Sequence, residues 1–501
     1  MNAPGREVAI VGCGPVGLTL AVLLAQRGHP VTILEHQPQA YPLPRAVHFD
    51  HEVARIFQSA GIGDDLAAFC EPADVYEWRN GEGTTLLRLG RVGLGASGWP
   101  LSSMFHQPSL EAALERRARR LGVVIRRECS VVDFSQHQGS VAIATSEGDV
   151  VEAGYLVGCD GAKSTVRALL GVPVTELGFL YDWLVVDVVL HDGRVFDPLN
   201  LQICDPARPT TVVSGGPGRR RWEFMRLEHE ALDDLESRAW ALLAPWDVTP
   251  ANATLERCAM YTFGARYAEQ WRGGRVLLAG DAAHHMPPFA GQGMCAGIRD
   301  AANLAWKLGL VLAGSAPDEL LDTYVTERIP SVRQAIDFSV ELGKIICVPD
   351  PHAAAARDAA MAPLVGPKPT DVPSLPGIEQ GMLDETSPHA GSLFVQGTAR
   401  GRRFDDVHGA GWRLITVEPE PVDLAPDAAR WFASIGGRVV TVAADDPVYG
   451  RWFAAHDATA ALQRPDFHLY GTAADPDRAA ALVDHLRSRL APQPAPQGAS
   501  L

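Results

Sequence analysis

The sequence predicts an α/β protein in which a parallel sheet is interrupted by an inserted antiparallel sheet and followed by a second, smaller α/β unit. Three observations predict it. The chain opens with a strand, a glycine turn, a helix and a second strand within about 30 residues, the pattern of a βαβ unit. A β-rich stretch over 183–226 then stands between two segments that alternate strand and helix. Beyond a segment rich in Pro, Ala, Gly and Asp at 349–390, the alternation starts again on a smaller scale.

In chain order, Glu7-Val-Ala-Ile-Val11 is a short β-branched run that breaks at Gly12-Cys13-Gly14-Pro15-Val16-Gly17. A helical pattern runs from Leu18 to Arg27 and stops at Gly28, and Val31–Leu34 makes the next strand, closed by Glu35. Residues 109–121 read as an amphipathic helix, and 123–127, 141–145 and 155–159 as strands, the last ending at Asp160-Gly161. After the inserted sheet, 276–279 returns to a buried strand, and long helical patterns cover 292–314 and 317–346. In the last unit, 412–417 and 438–443 read as strands and 425–435 and 476–490 as helices, with Leu462–Tyr470 as a closing hairpin. The Pro- and Gln-rich end of the chain reads as a disordered tail over 493–501.

The domain expectations follow. Residues 1–180 and 265–346 form one dinucleotide-binding domain in two segments, 181–264 the inserted sheet, 347–395 a helical linker and 396–492 the small domain. With 501 residues and 47% hydrophobic content the chain is long enough for a large core. Its 44 basic and 60 acidic residues leave a charge of −16, the wrong sign for a protein that coats nucleic acid. No apolar run of membrane-spanning length and no secretory leader stand in the sequence. The eight cysteines are scattered singly with no Cys-x-x-Cys, which suits reduced thiols in the cytoplasm. His284 and His285 are adjacent, poor spacing for two ligands on one helix face, and no metal site is expected.

Three motifs carry the chemistry. In Gly12-x-Gly14-x-x-Gly17, Gly12 permits the tight turn, Gly14 lets the backbone approach a pyrophosphate and Gly17 lets helix and strand pack closely. Glu35, at the end of the second strand, is placed to accept hydrogen bonds from a ribose. The other two are Asp160-Gly-Ala-Lys-Ser-Thr-Val-Arg167 and Gly280-Asp-Ala-Ala-His284. An acceptor-only carboxylate at Asp281 suits a hydroxyl-rich chain, and a helix N-cap is the alternative. Taken together, in this order and spacing, the three motifs resemble the group A FAD-dependent aromatic hydroxylases over about residues 1–345.

The resemblance implies FAD as cofactor, NADH or NADPH as co-substrate and O₂ as oxidant. It implies a Rossmann-like FAD-binding domain, an inserted substrate sheet as in p-hydroxybenzoate hydroxylase, and a thioredoxin-like C-terminal domain without its dithiol. Gly12, Gly14, Gly17 and Glu35 would hold the ADP half of FAD; Arg45 and Gln107 would reach the pyrophosphate and flavin. Asp160 would serve FAD and nicotinamide binding, and Asp281 the ribityl chain. In Pro287–Met294, a glycine-bearing loop entering a long helix, Gly291, Gln292, Gly293 and Met294 would lie at the flavin ring and Pro288 beside the reacting substrate. The implied reaction is ring hydroxylation of a phenol through a flavin C4a-hydroperoxide, which needs a water-excluding pocket.

The stretches 44–52, 204–209, 219–225 and 276–293 resemble the 3-(3-hydroxyphenyl)propionate hydroxylases in particular. Arg208 or Arg221 is then a candidate clamp for a substrate carboxylate, while Arg219 and Arg220 read as a solvated basic turn. His48 has two readings, binding or deprotonating the phenol, or packing. Tyr261 likewise faces the pocket or packs in the core, and His285 is a further substrate candidate beside a structural His284. A small aromatic acid is the first substrate expectation; a tailoring hydroxylase for an aromatic polyketide, and a flavin reductase or flavin-binding module without hydroxylation, are the alternatives. Neither nucleic acid nor membrane is an expected partner, and a homodimer is left open.

Overall fold

The computed structural model describes residues 7–227, 230, 233–371, 377–417 and 422–491; the tail expected over 493–501 lies outside them. A six-stranded sheet runs in the order Arg272–Gly273, Val276–Leu278, Tyr155–Gly158, Val8–Val11, Val31–Leu34, Val124–Arg126. All neighbours are parallel except the Arg272–Gly273 edge. Its central strands are apolar and buried along their whole length, as a sheet covered on both faces requires. Helix Pro15–Ala25 covers one face and packs on the long buried helix Gly293–Leu312. Pro15 sits in the first turn, where a missing N–H costs nothing.

The second sheet has eight strands, in the order Ala253–Phe263, Tyr181–Leu190, Arg219–Met225, Thr210–Ser214, Asn200–Ile203, Val75–Arg79, Thr85–Gly90, Thr370–Asp371. It differs from the sequence expectation at its far side. Val75–Arg79 and Thr85–Gly90, expected within the 1–180 segment of the first domain, join this sheet, and Thr370–Asp371 adds an edge from the expected linker. The pairings of Val75–Arg79 with Asn200–Ile203 and of Thr370–Asp371 with Thr85–Gly90 span more than a hundred residues, and nothing in a local hydrophobic pattern records them. Helix Pro351–Met361 is likewise bound to the sheet: Arg357 donates to the Cys204 carbonyl at 2.6 Å and Asn80 to Asp358 at 3.1 Å.

The C-terminal sheet runs Arg438–Val442, Arg413–Val417, Ala460–Gln463, Leu469–Ala473, with the first pair parallel and the others antiparallel. Its core merges with that of the long helix, where the Trp306 and Trp412 rings meet edge to face at 5.4 Å. Beneath them lies a fully buried charge cluster. Glu327 bonds Lys307 at 2.7 Å and Arg464 at 2.6 Å, and Arg464 also bonds Asp466 at 2.6 Å. Desolvation pushes the Lys307 amine down to about 7 even with Glu327 beside it. All eight cysteines are free. Among the described residues no helix is long and apolar enough to cross a membrane.

Candidate active site

A cavity of about 660 Å³ runs from the glycine turn, between the parallel sheet and helix Gly293–Leu312, to the inner face of the antiparallel sheet. At the first end the backbone does the shaping. Gly12 has φ 103°, and a Cβ there would lie 2.4 Å from the Cys159 carbonyl oxygen. Gly14 faces open space, leaving room for a ligand to meet the main chain. Gly17 does not line the cavity; its Cβ would lie 2.2 Å from the Gly12 carbonyl oxygen, so its part is the close packing of turn and helix. Glu35 lines the cavity and braces the turn by accepting the Cys13 N–H at 2.7 Å and the Gln37 N–H at 2.8 Å.

Arg45 lines the middle, its side chain over the Tyr41 ring and its backbone fixed from two sides. Gln107 Oε1 accepts the N–H groups of Arg45 and Ala46 at 2.9 and 2.6 Å, and Gln107 Nε2 donates to Glu111 at 2.6 Å. From the sheet, Arg221 donates to the carbonyls of Arg45 (2.6 Å) and Pro44 (2.9 Å), and Arg257 also reaches Pro44. Asp160 lines the cavity while its carboxylate caps helix Thr165–Leu170 through the N–H groups of Thr165 and Val166, at 2.7 and 3.1 Å. Asp281 lines the cavity, caps no helix and makes no hydrogen bond to any described residue. An open glycine turn at a helix N-terminus, an acid beside it and an unengaged carboxylate further along fit the phosphates, riboses and polyol chain of FAD.

Pro288, Gly291, Gly293 and Met294 line the cavity; Gln292 does not. Its side chain turns into a buried knot, donating to Asp50 at 3.3 Å and accepting from Arg299 at 3.0 Å, while Arg299 also bonds Asp50 and Glu52 at 2.6 Å each. Gln292 therefore fixes the loop from behind.

Two of the site candidates, one expected at the substrate and one in catalysis, lie away from the cavity. Arg208 lies outside the cavity, donating to Glu230 at 2.7 Å and to the Met225 carbonyl at 3.2 Å. Tyr261, on the edge strand Ala253–Phe263, does not line the cavity and packs under the Arg257 guanidinium, 4.3 Å away. Arg221 does line it, but forms a bidentate pair with Asp187 at 2.6 and 3.0 Å, so its fork is already engaged. Arg220, read as solvated, is 3% exposed and stacks over Phe196.

The histidines separate by role. His284 Nε2 donates to Asp300 at 2.7 Å, and Asp300 also accepts from Gly280 N–H and Arg328: a structural knot. His285 lines the cavity on a short strand beside Arg266, and burial lowers its pKa despite nearby Asp281. His48 lines it too, with Nδ1 3.3 Å from the Gly291 carbonyl oxygen and Nε2 3.4 Å from Arg91 Nη1. Burial, with the Arg91 charge second, pushes His48 down to about 4 and keeps it neutral near pH 7.

Sequence reasoning missed Arg91 and Glu223. Arg91 follows strand Thr85–Gly90 in no motif. Glu223 is 6% exposed, lines the cavity, and is pushed up by burial, with Arg221 3.7 Å away. Alternation along Arg219–Met225 puts Arg221 and Glu223 on one face, a signal that a period-two reading of the strand contains.

A glycine-turn dinucleotide cradle opening onto a separate substrate sheet, with a proline–glycine loop between, defines a flavin-dependent aromatic hydroxylase. Residues 6–339 match the family described as FAD binding domain, and the chain belongs to that family. It is 39% identical over 515 residues to a probable NADH-specific resorcinol 4-hydroxylase of Rhodococcus jostii (strain RHA1), covering 97% of this chain and 96% of that protein. It is 35% identical over 516 residues to a 3-(3-hydroxy-phenyl)propionate/3-hydroxycinnamic acid hydroxylase of Mycobacterium sp. (strain JLS), covering 93% and 89%. Among solved structures, an anhydrotetracycline hydroxylase from Streptomyces rimosus superposes with a TM-score of 0.73 at 27% identity, covering 97% of this chain and 99% of that one. The protein is an FAD-dependent monooxygenase that hydroxylates an aromatic ring with NAD(P)H and O₂.

Proposed function

We propose that the substrate is a small phenol carrying a second substituent meta to its hydroxyl, that NADH is the reductant, and that the enzyme is cytoplasmic. The observation that carries the substrate reading is the character of the cavity's sheet end, where Arg91, His48 and Glu223 face a space walled by Tyr76, Met104 and Phe289. Both relatives named above act on meta-substituted rings, resorcinol and 3-(3-hydroxyphenyl)propionate. Resorcinol-like diols are the first reading, because both arginines expected to clamp a carboxylate are engaged with internal acids and Glu223 adds an acid to the pocket. The aromatic acid stays as the second reading, carried by the second relative. NADH rests on the first relative's specificity, and the cytoplasm on eight free cysteines.

In this reading FAD supplies the activation of O₂ with electrons from NADH. Gly12, Gly14 and Glu35 would receive its ADP half, Arg45, Asp160 and Asp281 the pyrophosphate and polyol, and Gly291, Gly293 and Met294 the ring, all of them lining the cavity. Pro288 borders the substrate, and the apolar wall excludes water from the reacting edge. The Glu35 and Gln107 braces hold the turn and the 44–46 loop in place before the cofactor binds, which lowers the ordering cost of binding.

The test is NADH and NADPH oxidation by the yellow protein with resorcinol, 3-(3-hydroxyphenyl)propionate and a polycyclic phenol, with product mass determined. Resorcinol-stimulated NADH use with one oxygen added to the product is expected. Turnover of the polycyclic phenol alone moves the reading to a tailoring enzyme, and NADH consumption yielding only H₂O₂ with all three overturns hydroxylation of these phenols.

A further inference from the structure

We infer that Arg91 holds the substrate's phenolic oxygen as an anion, and that His48 positions Arg91 and is not the base. The inference rests on the small-phenol reading above and assigns the group that makes the ring electron-rich.

Five cations line the cavity: Arg45, Arg91, Arg127, Lys163 and Arg221. Arg127 is bound to Glu115 at 2.7 Å and Arg221 to Asp187 at 2.6 Å, while Arg45 and Lys163 are exposed. Arg91, half-buried, is the one of the five that is neither exposed nor ion-paired to a carboxylate among the described residues. Its Nη1 is held by Ser102 Oγ at 3.1 Å and directed at His48 Nε2, and its Nε is buried with no hydrogen-bond partner. Asp50, the acid whose charge acts on Arg91, is engaged by Arg299 at 2.6 Å. The other titratable groups around it are His48, the Tyr76 phenol and the Cys295 thiol, with Glu223 beyond Tyr76. Burial lifts both the phenol and the thiol above their ordinary range, so neither supplies a negative charge near pH 7. A half-buried guanidinium that lines the cavity, with an unpartnered Nε and no carboxylate counter-ion among the described residues, is an arrangement that an incoming anion stabilises.

The geometry also fixes the imidazole. The Gly291 carbonyl can only accept, so His48 Nδ1 carries the hydrogen and donates to it. Nε2 is then the acceptor, and Arg91 Nη1 donates to it. The ring's one lone pair is taken, which leaves none for a phenolic proton. His48 thus ties Arg91 to the 288–294 loop, at the place where the reacting ring must lie. On binding, the phenolic O–H bond breaks, the proton passes to solvent, and the electron pair stays on the oxygen opposite the guanidinium.

The test is a pH titration of the bound phenol by its phenolate absorption, using holoenzyme with resorcinol and with 3-(3-hydroxyphenyl)propionate. A guanidinium neighbour is expected to lower the bound phenol's pKa by about 1–3 units. Arg91→Met is expected to abolish that lowering and reduce kcat by about 100-fold, Arg91→Lys to give an intermediate value, and His48→Gln to keep a lowered pKa. Binding of 3-phenylpropionate, which has the carboxylate but no hydroxyl, is expected to be equal in wild type and Arg91→Met. A bound phenol that titrates alike in wild type and Arg91→Met, flavin content being equal, overturns the inference. So does loss of 3-phenylpropionate binding in Arg91→Met, which would make Arg91 a carboxylate site, or loss of the phenolate in His48→Gln alone, which would reverse the roles. Should Arg91→Met not retain flavin, Arg91→Lys decides: a pKa unmoved from wild type overturns the proposal. A wild-type enzyme whose flavin spectrum responds to neither phenol overturns the substrate reading, and the inference falls with it.

Discussion

The two ends of the cavity are built by opposite means. At the glycine-turn end the main chain shapes the cavity: a left-handed Gly12, an open Gly14 and a helix N-terminus, with Glu35 bracing the turn. All of it comes from one continuous stretch near the N-terminus. At the sheet end side chains form the wall, and they come from far apart: His48, Arg91, Glu223 and Pro288 line one cavity only because two sheets and a loop bring them together. Backbone recognition tolerates no added atom. Side-chain recognition is held by networks behind the wall, such as Arg221–Asp187 and Arg299–Asp50–Gln292.

That contrast sets the expected order of damage. Gly12→Val should do most: it forces a branched side chain into a positive φ and against the Cys159 carbonyl. The purified variant is expected to be colourless, and one that retains stoichiometric FAD would sink the backbone account of this end. Next, Arg221→Met takes the bidentate partner from buried Asp187, leaving only Arg257 at 3.8 Å, and removes one of the braces on the 44–46 loop. A loss of about 3–5 kcal/mol in denaturant unfolding is expected, together with weaker FAD retention; a loss under about 1 kcal/mol would mean that the pair is not a support.

A smaller effect comes from pH. His48 is held near 4 in the fold against an ordinary 6.5, and His106, desolvated beside Arg219, also near 4. Between those values the unfolded chain binds the extra protons, so stability is full above 6.5 and is lost as pH falls toward 4, by at most about 3 kcal/mol per imidazole. Holoenzyme unfolding at pH 7.5 and pH 5 measures it. His48→Asn should flatten part of the fall, and a variant curve parallel to wild type would refute the depressed imidazole. The smallest change is expected at Arg208→Ala, which breaks a half-exposed pair with Glu230 and should cost no more than about 1 kcal/mol. Its KM for an aromatic acid should match wild type; a strong rise would restore Arg208 as a clamp.

The same division explains what could be read in advance. The glycine turn, Glu35, the strand closed by Asp281 and the proline–glycine loop are local signals, because the conformations they need select residue types at fixed spacings. The βαβ opening, the long helices and the strands of the C-terminal unit follow the same logic of periodicity and punctuation. Tertiary structure alone decided which charges are free. Arg208, Arg221 and Arg91 are indistinguishable as letters, yet one is paired near the surface, one is bound to a buried acid and one faces the cavity without a carboxylate. The joining of strands 75–79 and 85–90 to the substrate sheet, which carries Tyr76 and Arg91 to the site, was likewise settled by long-range pairing. Sequence fixes the local conformations that a backbone cradle needs; partnership between side chains depends on distances that exist only once the chain has folded.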